Sequence, residues 1–319
     1  MLSFYLNNND ITQMVSSGEW AGSVKEAGRT FDVKYINAPY DPNLKSLPDI
    51  ALGDYITVID DDDGELFFGR VTSREKSSSY GTLTACCIDD AQLLLKSEVS
   101  YSFTDKSPEE IAALVLSDLE FPYGDLASTG VTIESYIADK ISPYELIREV
   151  YEKAGETTGL SYWIGMEDRA LTVTAMGAAV TTFIVSEGVN ITSSSFSEST
   201  DSVINRVLIL DSEGNRIGQI DDEDSQALYG MYQAIYEEED DVDAETAAKA
   251  MLSGPEQSLS VTVTQADNSC TAGKGIYLYD TATGQTGLYW IKNDQHTFEG
   301  GQHTMTLELS FQELKQGDD

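Results

Sequence analysis

The 319 residues suffice for two or three domains with buried cores, and a hydrophobic share of 41% is that of a folded chain. Nineteen Lys and Arg against 55 Asp and Glu give a formal net charge of −36, a surface that repels duplex DNA and anionic lipid because phosphate binding needs clustered cations; halophilic adaptation is a second source of such charge. No apolar run reaches the roughly 18–20 residues of a membrane span, the N-terminal segment lacks the basic and long apolar parts of a signal peptide, so a cytoplasmic start is expected, and three cysteines, two of them adjacent, are no disulfide framework.

In chain order, residues 1–97 read as β. Segments 31–36 and 82–86 alternate apolar and polar residues, and turns at 52–54 and 77–81 suggest antiparallel strands in a barrel or sandwich. Between two β-rich segments, Asp60, Asp61, Asp62 and Asp63 run into Gly64. A calcium loop with glycine at its sixth position needs oxygen ligands at positions 1, 3 and 5 and a glutamate at 12. Here position 1 is Ile59 and position 12 is Arg70, so the stretch reads as a hairpin turn at Asp63 and Gly64.

Residues 98–178 read as a small α+β unit. Ser107 caps a helix with Pro108 in its first position and Glu110 closing a capping box; Ile111, Leu114, Val115 and Leu119 form its apolar stripe. Ser142 and Pro143 repeat the signature, with Leu146, Ile147, Val150 and Tyr151 as the stripe and Gly155 as the stop. Segments 160–164 and 171–175 form a hairpin turned by Glu167, Asp168 and Arg169.

From 179 strands return. Residues 202–211 read as one strand that ends in a turn at 212–215. A helical acidic insertion then spans about 221–256. Residues 224–236 carry helical spacing that aligns Tyr229, Tyr232 and Tyr236, either as a partner-binding stripe or facing a core. The tract 221–245 lacks Lys and Arg and reads as a solvated face. Asp243 caps a further helix through Ala247, Ala248 and Met251, stopped by Gly254 and Pro255. Segments 259–264, 276–279, 288–291 and 304–309 rebuild a sheet. The fold class is therefore mainly β with α+β, without a short-period repeat or a low-complexity linker.

Signals for chemistry are sparse. The two histidines, His296 and His303, flank Glu299, Gly300 and Gly301 in an expected surface hairpin whose spacing does not suit zinc. Cys270 precedes both, which raises a Cys–His nucleophile, but no helix start lies nearby to lower its pKa. Cys86 and Cys87 lie in an apolar strand as packing residues. Acids are so abundant that a carboxylate pair for glycoside hydrolysis carries no signal. Neither a nucleophile elbow nor a phosphate-cradling glycine loop is present. No catalytic, cofactor or metal residues are expected.

Taken together, Trp20, Gly22 and Arg29, then Gly53 and Asp54, then Gly69 before the strand at 82–88, resemble the N-terminal barrel of phage-tail baseplate hub proteins, hubs of contractile tails in prophage and tailocin-type particles of Gram-positive bacteria. Pro108 with its helix, the segment 142–147, Tyr162 with Trp163 and the segment 205–210 continue the resemblance across nearly the whole chain. It implies two tube-type β-barrel domains, 1–97 and 179–319, flanking the 98–178 α+β domain. Three chains would form a pseudo-sixfold ring that joins the tail tube, or a tube-initiator protein, to a central spike and contacts baseplate wedge proteins. The six motif residues would be structural: turns, and a tryptophan and an arginine that fix the barrel. Two other readings remain, a cell-wall-degrading tail enzyme and a peptidoglycan-binding module with Tyr162 and Trp163 as a stacking surface.

Overall fold

The computed structural model describes residues 2–38, 40–43, 49–238 and 243–310. The chain divides into two compact units, one of residues 1–194 and 260–319 and one of residues 195–259. The first opens with β1 (Leu2–Leu6), β2 (Asn9–Asp10), β3 (Val15–Ser23), β4 (Thr30–Asn37), β5 (Tyr55–Asp60), β6 (Gly64–Arg74) and β7 (Gly81–Ile88). Period-two burial turns Phe31 and Val33 of β4, Ile56 and Val58 of β5, and Ala85 and Cys87 of β7 into one apolar core. The four aspartates end β5 and form the β5–β6 turn, where Gly64 takes φ +85°, so the hairpin reading of this stretch holds.

Next come α1 (Ala91–Leu95), β8 (Val99–Lys106), α2 (Pro108–Asp118), β9 (Tyr123–Leu126), β10 (Ile133–Ile141), α3 (Pro143–Thr158), β11 (Tyr162–Glu167) and β12 (Ala170–Ala175). The capping box is present: Glu110 N donates to Ser107 Oγ at 3.3 Å and Ser107 N to Glu110 Oε2 at 3.0 Å. Ile111, Ala112, Val115 and Leu116 form the buried face of α2, whereas Leu114 and Leu119 face solvent, because a 100° step puts Leu114 off that stripe. Gly155 does not stop α3. The helix runs on to Thr158 and ends at Gly159, which takes the left-handed conformation at φ +72°. Gly155 serves a close approach instead, since a Cβ there would lie 2.5 Å from Leu160 O. The buried faces of α2 and α3 share their core with Ala27, Ala91 and Leu94.

After β13 (Val180–Ser186) and β14 (Ile191–Ser199), the second unit holds β15 (Arg206–Leu210), β16 (Arg216–Asp221), α4 (Glu223–Tyr229), β17 (Gln233–Glu237) and α5 (Ala244–Ala250). β15 lies between antiparallel β16 and parallel β17. The strand expected over 202–211 forms only over β15, because Asn205 is spent elsewhere: it donates to Gly230 O at 2.8 Å and accepts from Tyr232 N at 2.8 Å. Tyr229, Tyr232 and Tyr236 do not share a helix. Gly230, at φ +85°, ends α4 after Tyr229, and Tyr236 lies in β17. Asp243 caps α5 as expected, with Thr246 N donating to its carboxylate at 3.0 Å, but the helix ends at Ala250, before Gly254 and Pro255. Of the acidic run, residues 239–242 lie outside the described residues.

The chain closes with β18 (Glu256–Thr264), β19 (Gly275–Asp280), β20 (Gln285–Glu299) and β21 (Gln302–Ser310). The main sheet has the order β14-β18-β21-β20-β3-β4-β7-β6-β5-β1-β2, with β19 on β20 and β13 on β19. This order contains the same arrangement twice, as β3-β4-β7-β6-β5-β1 and as β14-β18-β21-β20-β19-β13. The two copies agree in register over much of their length, although β5 and β6 slip between Val58 and Ile59 where β19 and β20 do not. Tyr55 pairs with Arg70 and Val58 with Phe67, as Gly275 pairs with Trp290 and Leu278 with Gly287. The register slips once between Val71 and Ser73, opposite Cys87 and Cys86, and likewise between Ile291 and Asn293, opposite Leu309 and Glu308. Each copy carries the same backbone clasp. Gly53 N donates to Val71 O and Val71 N to Asp54 O; Gly273 N donates to Ile291 O and Ile291 N to Lys274 O, all at 2.9 Å. Both glycines need positive φ, +84° and +88°. The copies differ in the last strand, since β1 runs antiparallel to β5 and β13 parallel to β19.

Candidate functional site

The two copies meet where β3 pairs antiparallel with the second half of β20, Ser23 opposite Asn293 through Ser17 opposite Glu299. Alternation turns Gly18, Trp20 and Gly22 of β3 inward, against Phe298, His296 and Asp294 of β20. Arg29, just before β4, fills the space that Gly22 leaves. Its guanidinium lies 3.9 Å from the Trp20 ring centre and binds the Asp294 carboxylate with two nitrogens, Nη1 to Oδ1 at 2.9 Å and Nη2 to Oδ2. A Cβ on residue 22 would lie 2.2 Å from Arg29 Nη1, so glycine is required there. Asp294, whose side chain is fully buried, also accepts from Ala272 N at 2.6 Å. Arg29 N donates to Asp89 Oδ2 at 2.9 Å, and Asp89 Oδ1 accepts from Ala91 N at 3.1 Å. Burial raises the Asp89 carboxyl to about 6, against hydrogen bonds from Arg29 and Ala91 that lower it.

The histidines are not in a surface hairpin. His296 is fully buried, 5.2 Å from the Trp20 ring, and His303 packs beside it. His296 Nε2 lies 3.0 Å from Cys270 O, and because a carbonyl only accepts, Nε2 carries the proton. Nδ1 of the neutral ring then accepts from His303 Nε2, at 2.9 Å. Burial holds His296 at about 4 and also lowers His303. Cys270 thus meets His296 through its backbone, and burial first of all pushes its thiol up to about 12. Both His296 nitrogens are occupied and the thiolate is disfavoured, so this is not the geometry of a Cys–His dyad. Among the described residues no group of three or more His, Cys, Asp or Glu side chains is arranged to hold a metal ion.

The remaining motif residues lie away from this joint. Gly53 forms the clasp turn, and Asp54 holds it by accepting from Ala51 N at 2.7 Å and Asn7 Nδ2 at 2.8 Å. Gly69 admits the Phe67 ring and the Ile88 carbonyl, which would lie 2.5 and 2.6 Å from a Cβ. Sequence reasoning missed Asp294 and Asp89 as partners of Arg29, and His296 as the neighbour of Trp20. Tyr162 and Trp163 offer no paired stacking face: Trp163 is buried against Gly165 and Gly273, and Tyr162 packs on Tyr151 at 5.0 Å along a groove of about 710 Å³.

The fold these elements define is that of a phage tail protein. The 43 kDa tail protein of prophage MuSo2 from Shewanella oneidensis superposes with a TM-score of 0.77 at 14% identity, covering 97% of each chain. The chain belongs to the YqbQ-like family, whose sequence profile matches residues 18–310. It is 25% identical to YqbQ of Bacillus subtilis strain 168 over 312 residues, 93% of this chain and 95% of that one. It is 27% identical over 254 residues to XkdQ, a protein of the phage-like element PBSX of the same strain, covering 77% and 78%. No helix among the described residues is long and apolar enough to cross a membrane.

Proposed function

We propose that this chain is the structural, non-enzymatic hub of a phage-tail or tailocin-type baseplate, assembled in the bacterial cytoplasm. Three copies form a ring of six similar β-units that joins the tail tube or its initiator to the central spike, with wedge proteins outside. In this reading residues 1–97 and the β part of 179–319 are the two tube-type barrels, and 98–178 decorate them. The supporting observation is the register-matched pair of strand sets. One chain that carries two equivalent units converts a threefold assembly into six near-equivalent positions, which suits a passage between a threefold and a sixfold partner. The Trp20, Arg29 and Asp294 joint locks the two units at their seam. The net charge of −36 suits a wall that passes nucleic acid or protein without binding it.

The test is absolute mass by light scattering at low and high salt. The expected result is a trimer that strengthens as salt screens the acidic surfaces. A chain that stays monomeric at both salt strengths would overturn self-assembly of the ring. Clearing of peptidoglycan in a zymogram, or retention on isolated cell walls, would instead support the cell-wall readings.

A further inference from the structure

The duplicated strand set leaves two unlike edges with the geometry of a seam already made once inside the chain. β20 is 15 residues long because β3 pairs with its second half. Its counterpart β6 is 11 residues long and ends at Arg74, where among the described residues no equivalent of β3 lies alongside. The equivalent of β3 is β14, which has one strand partner, β18, among the described residues. We propose that β14 of one copy pairs antiparallel with residues 73–77 of the next copy, extending its β6 and repeating the β3–β20 seam between chains. This rests on the trimeric reading and names the surface that makes it.

The duplication also sets the register. Thr262 Oγ1 lies 3.2 Å from Thr306 Oγ1, which makes Thr262 the equivalent of Lys34, opposite Thr84. Thr192 Oγ1 donates to Thr262 O at 3.0 Å as Ser16 Oγ donates to Lys34 O at 3.2 Å, so Thr192 is the counterpart of Ser16, where the β3–β4 register slips, and Ser193 is that of Ser17. Gln257 Nε2 on Glu198 Oε1 at 2.8 Å keeps this register, and the half-buried Ser194 and Phe196 then answer to the buried Gly18 and Trp20. Carrying the internal pairs Ser23–Asn293 and Glu19–Thr297 across then places Ser199 opposite Ser73, and Ser195 opposite Ser77, of the neighbouring chain. Val24 N donates to Lys292 O, so the even-numbered residues of β3 turn their amides to β20, and the counterparts Ser194 and Glu198 turn theirs to the open edge. Small hydroxyl side chains dominate β14, and it has neither proline nor lysine, the residues that block an edge from pairing.

The test compares paired cysteines. Ser73→Cys with Ser199→Cys, and Ser77→Cys with Ser195→Cys, are in register; Ser77→Cys with Ser197→Cys is slipped by two residues. After mild oxidation, the in-register pairs should give a covalent ladder ending at three chains, at least tenfold stronger than the slipped pair. Glu198→Pro removes one open-edge amide and should abolish the trimer while leaving the circular dichroism spectrum and Tm of the chain in place. A trimer by light scattering with no ladder, or with equal ladders from all three pairs, overturns the seam and leaves the hub reading standing. A chain that is monomeric at both salt strengths and gives no ladder overturns the seam together with self-assembly of the ring.

Discussion

Replacing Asp294 by alanine would leave the Arg29 guanidinium buried under Trp20 without its counter-charge and orphan the Ala272 amide. The expected loss is about 3–5 kcal/mol, read from urea unfolding. His296 gives a pH signature. Its folded pKa, about 4, lies below the unfolded value of 6.5, so the unfolded chain binds more protons in between and stability falls as pH drops through that window. At pH 5 the cost is about 2 kcal/mol from His296. His303, lowered in the same sense, adds to it, while Asp89, raised to about 6, gains stability as pH falls below that value and offsets part. His296→Gln should therefore lose less Tm between pH 7 and 5 than the native chain. Trp20, Gly22 and Arg29 were legible in the sequence because they lie within one hairpin. Asp294 was not, because it is 265 residues from Arg29 and nothing local in its strand marks it as a partner.

Local rules made most element ends readable. The turn at Gly64 and the caps at Ser107, Ser142 and Asp243 depend on neighbours a few residues away. Two of the misreadings share a cause: a glycine was weighed by spacing alone. Gly155 read as a stop but serves a tight packing contact, and Gly230 read as part of a helix but takes a φ no helix allows. The two clasp glycines allow a matched experiment. Gly53→Ala meets only the strain of positive φ, about 1 kcal/mol, since nothing lies within 4 Å of its Cβ. Gly273→Ala meets the same strain and a Cβ 2.9 Å from Trp163. It should cost about 2–3 kcal/mol in parallel thermal melts; equal costs would show that the Trp163 contact yields freely.

For the whole molecule, the duplication escapes the sequence because the two copies share geometry and not side chains: Phe67 answers to Gly287, Arg70 to Trp290 and Asp54 to Lys274. Hydrogen-bond register, which is preserved, leaves no imprint on residue identity beyond the paired glycines. The second unit also tests separability. Ser253 Oγ donates to Ser202 O at 2.6 Å, and Ile204 and Ser253 exchange backbone hydrogen bonds, so its entry and exit lie side by side. Replacing residues 203–252 by a short glycine-containing turn should leave a folded chain with a sharp thermal transition; loss of cooperative melting would show that the first unit depends on the second.

The unlike edges of the proposed seam have a genetic consequence. A Glu198→Pro chain spoils its β14 edge but still offers its β6 edge, so it joins a partly built ring and ends it there. The defect would behave as a dominant one. With equal doses of both alleles and random incorporation, about one ring in eight contains only native chains, and the yield of particles should follow the cube of the native fraction rather than the fraction itself.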